Sequence, residues 1–528
     1  MGIYLNPTDK SFRISRRSKI YVDKSGLISY LNGVLDTEQR FVCVSRPRRF
    51  GKSMAANMVA AYYTRSRDAK ESFRGLKIEQ DDSFAIYANQ FDVVKINMQE
   101  FLSQSHGMEE MLLRLKRFVL QDIVREYPAD DYLDVQDLST TMADIYARTE
   151  RSFVIVIDEW DCIFREYRGG SEAQKLYLDF LRDWLKDKSY IALAYMTGIL
   201  PIKKYGTHSA LNMFTEFSME NPRELTEFVG FTAEEVKCLC SRYHMDYDEC
   251  QSWYDGYSFL RQKGIYNPHS VVEAMTSGVY DTYWNKTETY EALQSYINMN
   301  FDGLRDNIIR LLAGSRVRIS TGRFANDMTT FSGMDDVLTL LVHLGYLAYD
   351  FSTAEVFIPN QEIAIEYENA IDYDHWGQIV QAIEKSDHLL DATLAKDCPA
   401  VANGIAAAHL ETSHLQYNDE NALSYTVALA YYSARKQYHI VREMPAGKGF
   451  ADLVFLPREM YGDYPAIVIE LKWDKGADTA IRQIREKEYG SALKEYAGKI
   501  LLVGINYDKK SRRHSCRIEE ALKQAADL

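Results

Sequence analysis

Two carboxylates and a lysine sit in two apolar runs near the C-terminal end, Gly449-Phe450-Ala451-Asp452-Leu453-Val454 and Ile467-Val468-Ile469-Glu470-Leu471-Lys472. Both runs have the composition of β-strands, and alternation along the second puts Glu470 and Lys472 on one face. The apolar Ile467, Val468, Ile469 and Leu471 bury the rest. On neighbouring strands, Asp452 and Glu470 would offer oxygen ligands to a hard divalent cation, magnesium or manganese. Such a cation polarises a phosphodiester and generates hydroxide from water, and Lys472 is placed to steady the negative charge that develops. The chemistry these residue types imply is hydrolysis of a nucleic-acid backbone. The competing reading is a Glu-Lys pair on the surface of an ordinary sheet.

A second centre lies near the other end, in Phe41-Val42-Cys43-Val44-Ser45-Arg46-Pro47-Arg48-Arg49-Phe50-Gly51-Lys52-Ser53. An apolar strand leads into a loop where Gly51 permits close backbone approach, Lys52 reaches terminal phosphates and Ser53 ligates magnesium. The helix that follows offers its N-terminal amides to anions. Arg46 stands where the usual pattern has its first glycine, so the loop is degenerate. Arg46, Arg48 and Arg49 add positive charge for phosphate. The run Phe153-Val154-Ile155-Val156-Ile157-Asp158-Glu159 is an apolar strand ending in two acids. Asp158 is expected in the magnesium shell, with Glu159 orienting or deprotonating the attacking water. A further strand, Ile191 to Met196, ends in Thr197-Gly198, and the Thr197 hydroxyl is the expected sensor of the γ-phosphate. ATP is the cofactor these residues imply.

The C-terminal residues resemble the PD-(D/E)XK nuclease superfamily. That resemblance implies an accessory acid at Glu420, which opens an apolar-periodic helix, and a helical glutamine at Gln483. The segments Tyr21-Val22-Asp23-Lys24-Ser25, the loop through Ser53, Ile157-Asp158-Glu159-Trp160-Asp161 and Thr197 to Gly206 resemble the AAA-ATPase-like family, often fused to such a nuclease domain. Trp253-Tyr254-Asp255-Gly256-Tyr257, Tyr266-Asn267-Pro268, Gly345-Tyr346-Leu347 and Ile358-Pro359-Asn360 extend the likeness over nearly the whole chain. The resemblance implies architecture and ATP use. It assigns no biological role.

The elements that must position these residues follow from periodicity. Up to about Met219, strands alternate with amphipathic helices, among them Met54 to Tyr63 and Glu109 to Arg125, as in a parallel sheet wrapped by helices. The expected fold class is α/β: a P-loop NTPase sheet over 1–220, a helical lid with a winged-helix-like unit over 221–409, and an α/β/α restriction-endonuclease-like domain over 410–528. In the middle, Thr232 and Glu235 form a capping box, Asp335 to Leu344 a helix, and Gly345 to Ile358 a hairpin.

With 528 residues, 46% of them hydrophobic and 12% aromatic, the chain is globular and multidomain rather than disordered. No stretch approaches a membrane span and no leader is evident, so a cytoplasmic protein is expected. Seven scattered cysteines imply reduced thiols, and Cys238, Cys240, His244 and Cys250 read as a helical face with buried thiols rather than a zinc site. The net charge of −14 argues against general nucleic-acid binding. From Leu471 onward, however, 13 Lys and Arg face 9 Asp and Glu, with Lys509, Lys510, Arg512, Arg513 and Arg517 close together. The partner these features imply is nucleic acid, DNA foremost; an oligomer is compatible but not required. Two other accounts remain open on the sequence: a nucleotide-regulated interaction protein with a non-cleaving nuclease fold, and an ATPase acting on protein partners.

Overall fold

The computed structural model describes residues 2–65, 70–167, 170–202, 211–259, 262–284, 291–299, 301, 303–312, 314–325, 331–370, 385–386, 388–411, 420–431, 434, 437–446, 449–458, 464–487 and 499–521. The chain forms two compact units, 1–292 with 299–303 and 317–366, and 293–298 with 304–316 and 367–528.

The first unit is built on five parallel strands: β1 (Phe41–Ser45), β2 (Asp92–Asn97), β3 (Phe153–Asp158), β4 (Ile191–Gly198) and β5 (Thr215–Phe217), in the order β2-β3-β4-β1-β5. Every residue of β1, β3 and β4 is buried, as the unbroken apolar runs require of a parallel sheet covered on both faces. Helix α1 (Lys52–Tyr63) follows β1, and α2 (Met108–Glu126) buries Met111, Leu115, Val119 and Ile123 at helical spacing while its polar stripe faces water. Short α3 (Cys162–Glu166) and α4 (Gly170–Leu185) lie between β3 and β4.

Residues 221–366, read from the sequence as part of a separate middle region, lie mostly in this first unit. Helix α5 (Ala233–Tyr243) starts with the expected capping box: the Glu235 amide donates to Thr232 Oγ1 at 3.3 Å and the Thr232 amide to Glu235 Oε2 at 2.8 Å. Helix α6 (Tyr247–Tyr254) packs beside it, burying Cys240 and Cys250 with Tyr254 and Tyr266, but Cys238 is exposed and outside that face. Helix α7 (Met334–Leu344) is followed by the antiparallel pair Ala348–Asp350 and Glu355–Phe357, which also pairs with Val317–Arg318. The helix-then-hairpin order is the expected one.

Helix α8 (Gln361–Ala370) carries three acids, of which Glu362 and Glu366 are each 1% exposed. Glu362 accepts from the Tyr283 amide at 2.7 Å and the Ser270 hydroxyl at 2.9 Å, and Glu366 from the Thr282 hydroxyl at 3.0 Å. Burial pushes both carboxyls up to about 7. A raised folded-state pKa adds stability fully present below the ordinary glutamate value and lost as pH rises through about 7. Glu362→Gln keeps an acceptor without a titrating proton. Relative to wild type it should therefore gain up to about 3 kcal/mol between pH 4.5 and pH 9. Thermal melts of the two proteins across that range read the difference, and parallel pH profiles would remove Glu362 as its source.

The second unit centres on a mixed sheet of β6 (Tyr438–Ala446), β7 (Gly449–Pro457), β8 (Ala466–Trp473), β9 (Ile500–Asp508) and β10 (Arg513–Glu520), ordered as numbered. Only β8 and β9 are parallel, and α11 (Ala477–Glu486) belongs to the crossover between them. Helices α9 (Cys398–Glu411) and α10 (Glu420–Ala430) pack on the face that carries Leu453, Ile469, Leu471, Val503 and Ile505. On the other face α11 covers Val454, Val468 and Leu502 with Ile481 and Ile484. The result is the expected α/β/α sandwich, set by period-2 alternation in strands whose two faces are both buried. Gly504 lets α11 approach, because a Cβ there would lie 2.5 Å from the Ala477 carbonyl oxygen.

Candidate nucleotide and metal sites

At the C-terminal end of β1 the chain turns through Arg46 to Phe50 into α1. Gly51, the residue before the helix, has φ +92°, which favours glycine, and a Cβ there would meet nothing within 4 Å, so the loop opens to space at that point. Lys52 is 4% exposed; its Nζ donates to the Pro47 carbonyl at 2.9 Å and lies in the field of Glu159, Asp161 and Asp158. Desolvation pulls its pKa down against those acids. Ser53 is exposed on the first turn of α1.

Across β4, which separates β1 from β3, stand the acids of the β3 end. Asp158 is buried and accepts from the Thr197 hydroxyl at 2.5 Å. Glu159 has φ +54°, is held by Arg165, and has its pKa raised, first by burial and against the fields of Lys52 and Arg165. The structure thus brings Lys52, Asp158, Glu159 and Thr197 to one end of the sheet. This is the region outside the carboxyl ends of parallel strands, where open α/β sheets in general bind their ligands.

The three loop arginines do not converge there. Arg46 is fully buried, donating to the carbonyls of Ser45 at 2.9 Å and Phe217 at 3.0 Å, with its guanidinium over the Phe259 ring. Its charge therefore lies in the interior rather than at a phosphate, because a long side chain at the position of the missing glycine turns inward along the β1–β5 edge. Burial lowers its pKa to about 10, still well above neutral pH. Arg48 reaches Glu166 at 3.8 Å, and Arg49 donates to the carbonyls of Tyr283 and Trp284.

Two groups of this site escaped the sequence reading. Asp161, wholly buried, accepts the amides of Ile199 and Leu200 at 3.0 and 2.8 Å and thereby ties the β4 end to the acidic run. Gly198 makes this possible, since a Cβ there would sit 2.7 Å from an Asp161 carboxylate oxygen. Arg165 joins Asp161 at 3.1 Å to Glu159. Their signal was local: an aspartate three residues beyond Asp158, with an arginine one helical turn later.

In the second unit, β7 and β8 pair so that Leu453 faces Ile469, which sets Asp452 beside Glu470. Asp452 Oδ2 accepts from the Leu471 amide at 2.7 Å. Glu470, 2% exposed, takes Lys472 Nζ at 2.8 Å and the Gln483 amide on Oε1. Its Oε2 is buried with no hydrogen-bond partner among the described residues. Burial, reinforced by Asp452, raises the Glu470 pKa to about 7. Lys487, four residues beyond Gln483 on the same helix face, adds a positive field that the sequence reading did not use. A buried carboxylate oxygen without a donor, next to a second carboxylate, fits a hard cation with oxygen preference. Among the described residues no group of three or more His, Cys, Asp or Glu gathers in metal-binding geometry. The Glu420 side chain lies outside the described residues, as do Lys203, Lys204, Tyr205 and Gly206.

Known proteins carry the same two regions. Residues 9–207 match the AAA-ATPase-like family, described as a predicted AAA-ATPase, and residues 419–516 match the PD-(D/E)XK nuclease superfamily. An uncharacterized protein in the vnfD 5′ region of Azotobacter chroococcum is 20% identical over 515 residues, 93% of each chain. Among solved structures, the Walker-type ATPase PABY2304 of Pyrococcus abyssi is 16% identical with a TM-score of 0.36, covering 67% of this chain and 97% of its own. The Aeropyrum pernix ORC2 protein, solved in ADPNP–ADP complexes, is 12% identical with a TM-score of 0.31, covering 67% and 95%. The likeness is regional: residues 9–207 carry that to the AAA-ATPase-like family and residues 419–516 that to the PD-(D/E)XK nuclease superfamily.

Proposed function

We propose that this protein binds and hydrolyses ATP in its first unit and uses the second to hydrolyse DNA phosphodiesters, with nucleotide state regulating cleavage. The observation that carries the nuclease half is Glu470: a buried carboxylate with a raised pKa and an Oε2 that has no hydrogen-bond partner among the described residues, set beside Asp452 and tethered by Lys472 and Gln483. Asp452 and Glu470 are the residues that would hold magnesium or manganese. When bound, such a cation supplies Lewis-acid polarisation of the phosphoryl group and a lowered pKa for water. Lys472 is positioned to balance charge on the phosphate oxygens, and Gln483 fixes the Glu470 carboxylate in one orientation.

In the ATP site, Lys52 and the first amides of α1 receive the phosphates, and Ser53 and Asp158 are the magnesium-shell residues. Glu159 has the raised pKa of a general base, and Thr197, already bonded to Asp158, stands at the γ-phosphate end. Arg48 and Arg49, expected as phosphate contacts, have to leave Glu166 and the Tyr283–Trp284 carbonyls to act as such.

Nicking of supercoiled plasmid by the full chain tests the reading, with magnesium or EDTA and with or without ATP. Metal-dependent nicking whose rate changes with ATP is expected. ATP turnover without nicking under any metal would leave the ATPase and remove the nuclease.

A further inference from the structure

The β9–β10 hairpin ends in Asp508-Lys509-Lys510-Ser511-Arg512-Arg513, four cations against one acid in a chain whose net charge is −14. All four cations are exposed, and none forms an ion pair among the described residues. Several other cations of this unit are matched: Arg485 with Glu519, Arg517 with Asp478 and Glu519, and Lys396 with Glu520. Four exposed cations without an ion pair among the described residues are thus clustered in one turn.

That end is the one where the acids sit. Glu470 is level with Gly504 and Lys472 with Asn506 along β9, and Asp508 pairs with Arg513. Strand alternation places Arg513 on the same face as Glu470 and Lys472. Four residues of strand separate the Gly504 row from the Asp508 row, about 13 Å at the strand rise. This matches the axial rise of about four base pairs of duplex. The turn has a defined shape, since Asp508 accepts from the Ser511 amide at 2.7 Å and hydroxyl at 2.9 Å, and the Lys509 amide donates to Asp474 at 2.6 Å. Phe450, two residues from Asp452 on the same face and level with Lys472 by the β7–β8 register, is 63% exposed. An exposed aromatic and the cationic tip therefore lie at the same end of this face, beyond the row of the buried Glu470.

We propose that the hairpin tip formed by Lys509, Lys510, Arg512 and Arg513 grips the phosphate backbone of duplex DNA and sets the distance between that grip and the Asp452–Glu470 pair. The inference rests on the nuclease reading for its choice of ligand, but its test is independent of cleavage. Backbone contacts by lysine and arginine displace condensed counterions, and each lowers the slope of log affinity against log salt by about 0.9 on duplex DNA.

The full chain and its Lys509→Gln, Lys510→Gln, Arg512→Gln, Arg513→Gln variant are titrated with a short fluorescent duplex in EDTA from 50 to 200 mM salt. Arg485→Gln serves as a matched-charge control, and thermal melts confirm that the exposed substitutions leave the fold intact. The expected result is a slope shallower by about 3 and a tenfold or greater affinity loss at low salt for the quadruple variant, against less than twofold for Arg485→Gln. Equal slopes and affinities for wild type and quadruple variant overturn the proposal, even if magnesium elicits cleavage. So does a loss seen with duplex RNA but not DNA, or no duplex binding by wild type at 50 mM salt. Loss of binding with the hairpin in a chain that never cleaves supports the grip and sinks only the nuclease activity.

Discussion

Replacing Glu470 by glutamine should lower metal-dependent cleavage by about 1000-fold or more while leaving ATP binding unchanged. The expectation comes from the state of the side chain. Its Oε2 has no donor among the described residues, and burial raises its pKa to about 7, so the ionised carboxylate carries a desolvation cost that a divalent cation would offset. Glutamine retains a carbonyl oxygen for Lys472 and Gln483 but removes the negative charge. Losing several kcal/mol of charge stabilisation at the phosphoryl group corresponds to about three orders of magnitude in rate. The fold should survive, because an amide relieves the desolvation that opposes the buried carboxylate. Plasmid nicking in magnesium, paired with a thermal melt, measures both halves. Equal cleavage by wild type and Glu470→Gln would end the assignment of this residue as a metal ligand.

Lys52→Ala should weaken ATP binding by about 100-fold and abolish turnover, with nicking in the absence of nucleotide unaffected. Lys52 is the cation that faces Asp158, Glu159 and Asp161 together, and its one hydrogen bond among the described residues is to the Pro47 carbonyl, which a phosphate oxygen can replace. A charge-assisted hydrogen bond to an anion contributes about 1.5–3 kcal/mol, and the loss is compounded by removing a positive charge that offsets the repulsion between the triphosphate and the acids. Lys52→Arg should not rescue binding, because the planar guanidinium does not fit a site where the ammonium is 4% exposed. Titration with a fluorescent ATP analogue reads the affinity. Undiminished binding by Lys52→Ala would move the nucleotide away from this loop.

Several elements were legible in the chain because the information is local. The apolar run Phe153 to Ile157 can only be a strand covered on both faces, Gly51 before Lys52 marks the turn into a helix, and Thr232 with Glu235 caps one. The alternation Glu470-Leu471-Lys472 likewise dictates which side chains share a face. Contacts between residues distant in sequence depend on packing, and here the reading was incomplete. Arg46 looked like a phosphate ligand by its place in the loop, yet tertiary packing turns it towards Phe217, 171 residues away. Asp161, which the sequence reading gave no role, fastens the end of β4. Lys487 reaches the field of Glu470 only because α11 lies across β8 and β9.

The sequence alone determined the residue types, their strand and helix periods, and therefore the two kinds of chemistry the chain can host, since period and side-chain type are properties of neighbouring residues. Only the tertiary structure decided which charges meet. It paired Glu159 with Arg165, left Glu470 Oε2 without a donor among the described residues, and set an unneutralised cationic turn on the face of the paired carboxylates. The physical reason is that a charge's effect depends on its distance to other charges and to water, and those distances come from strand order and helix crossing rather than from spacing along the chain.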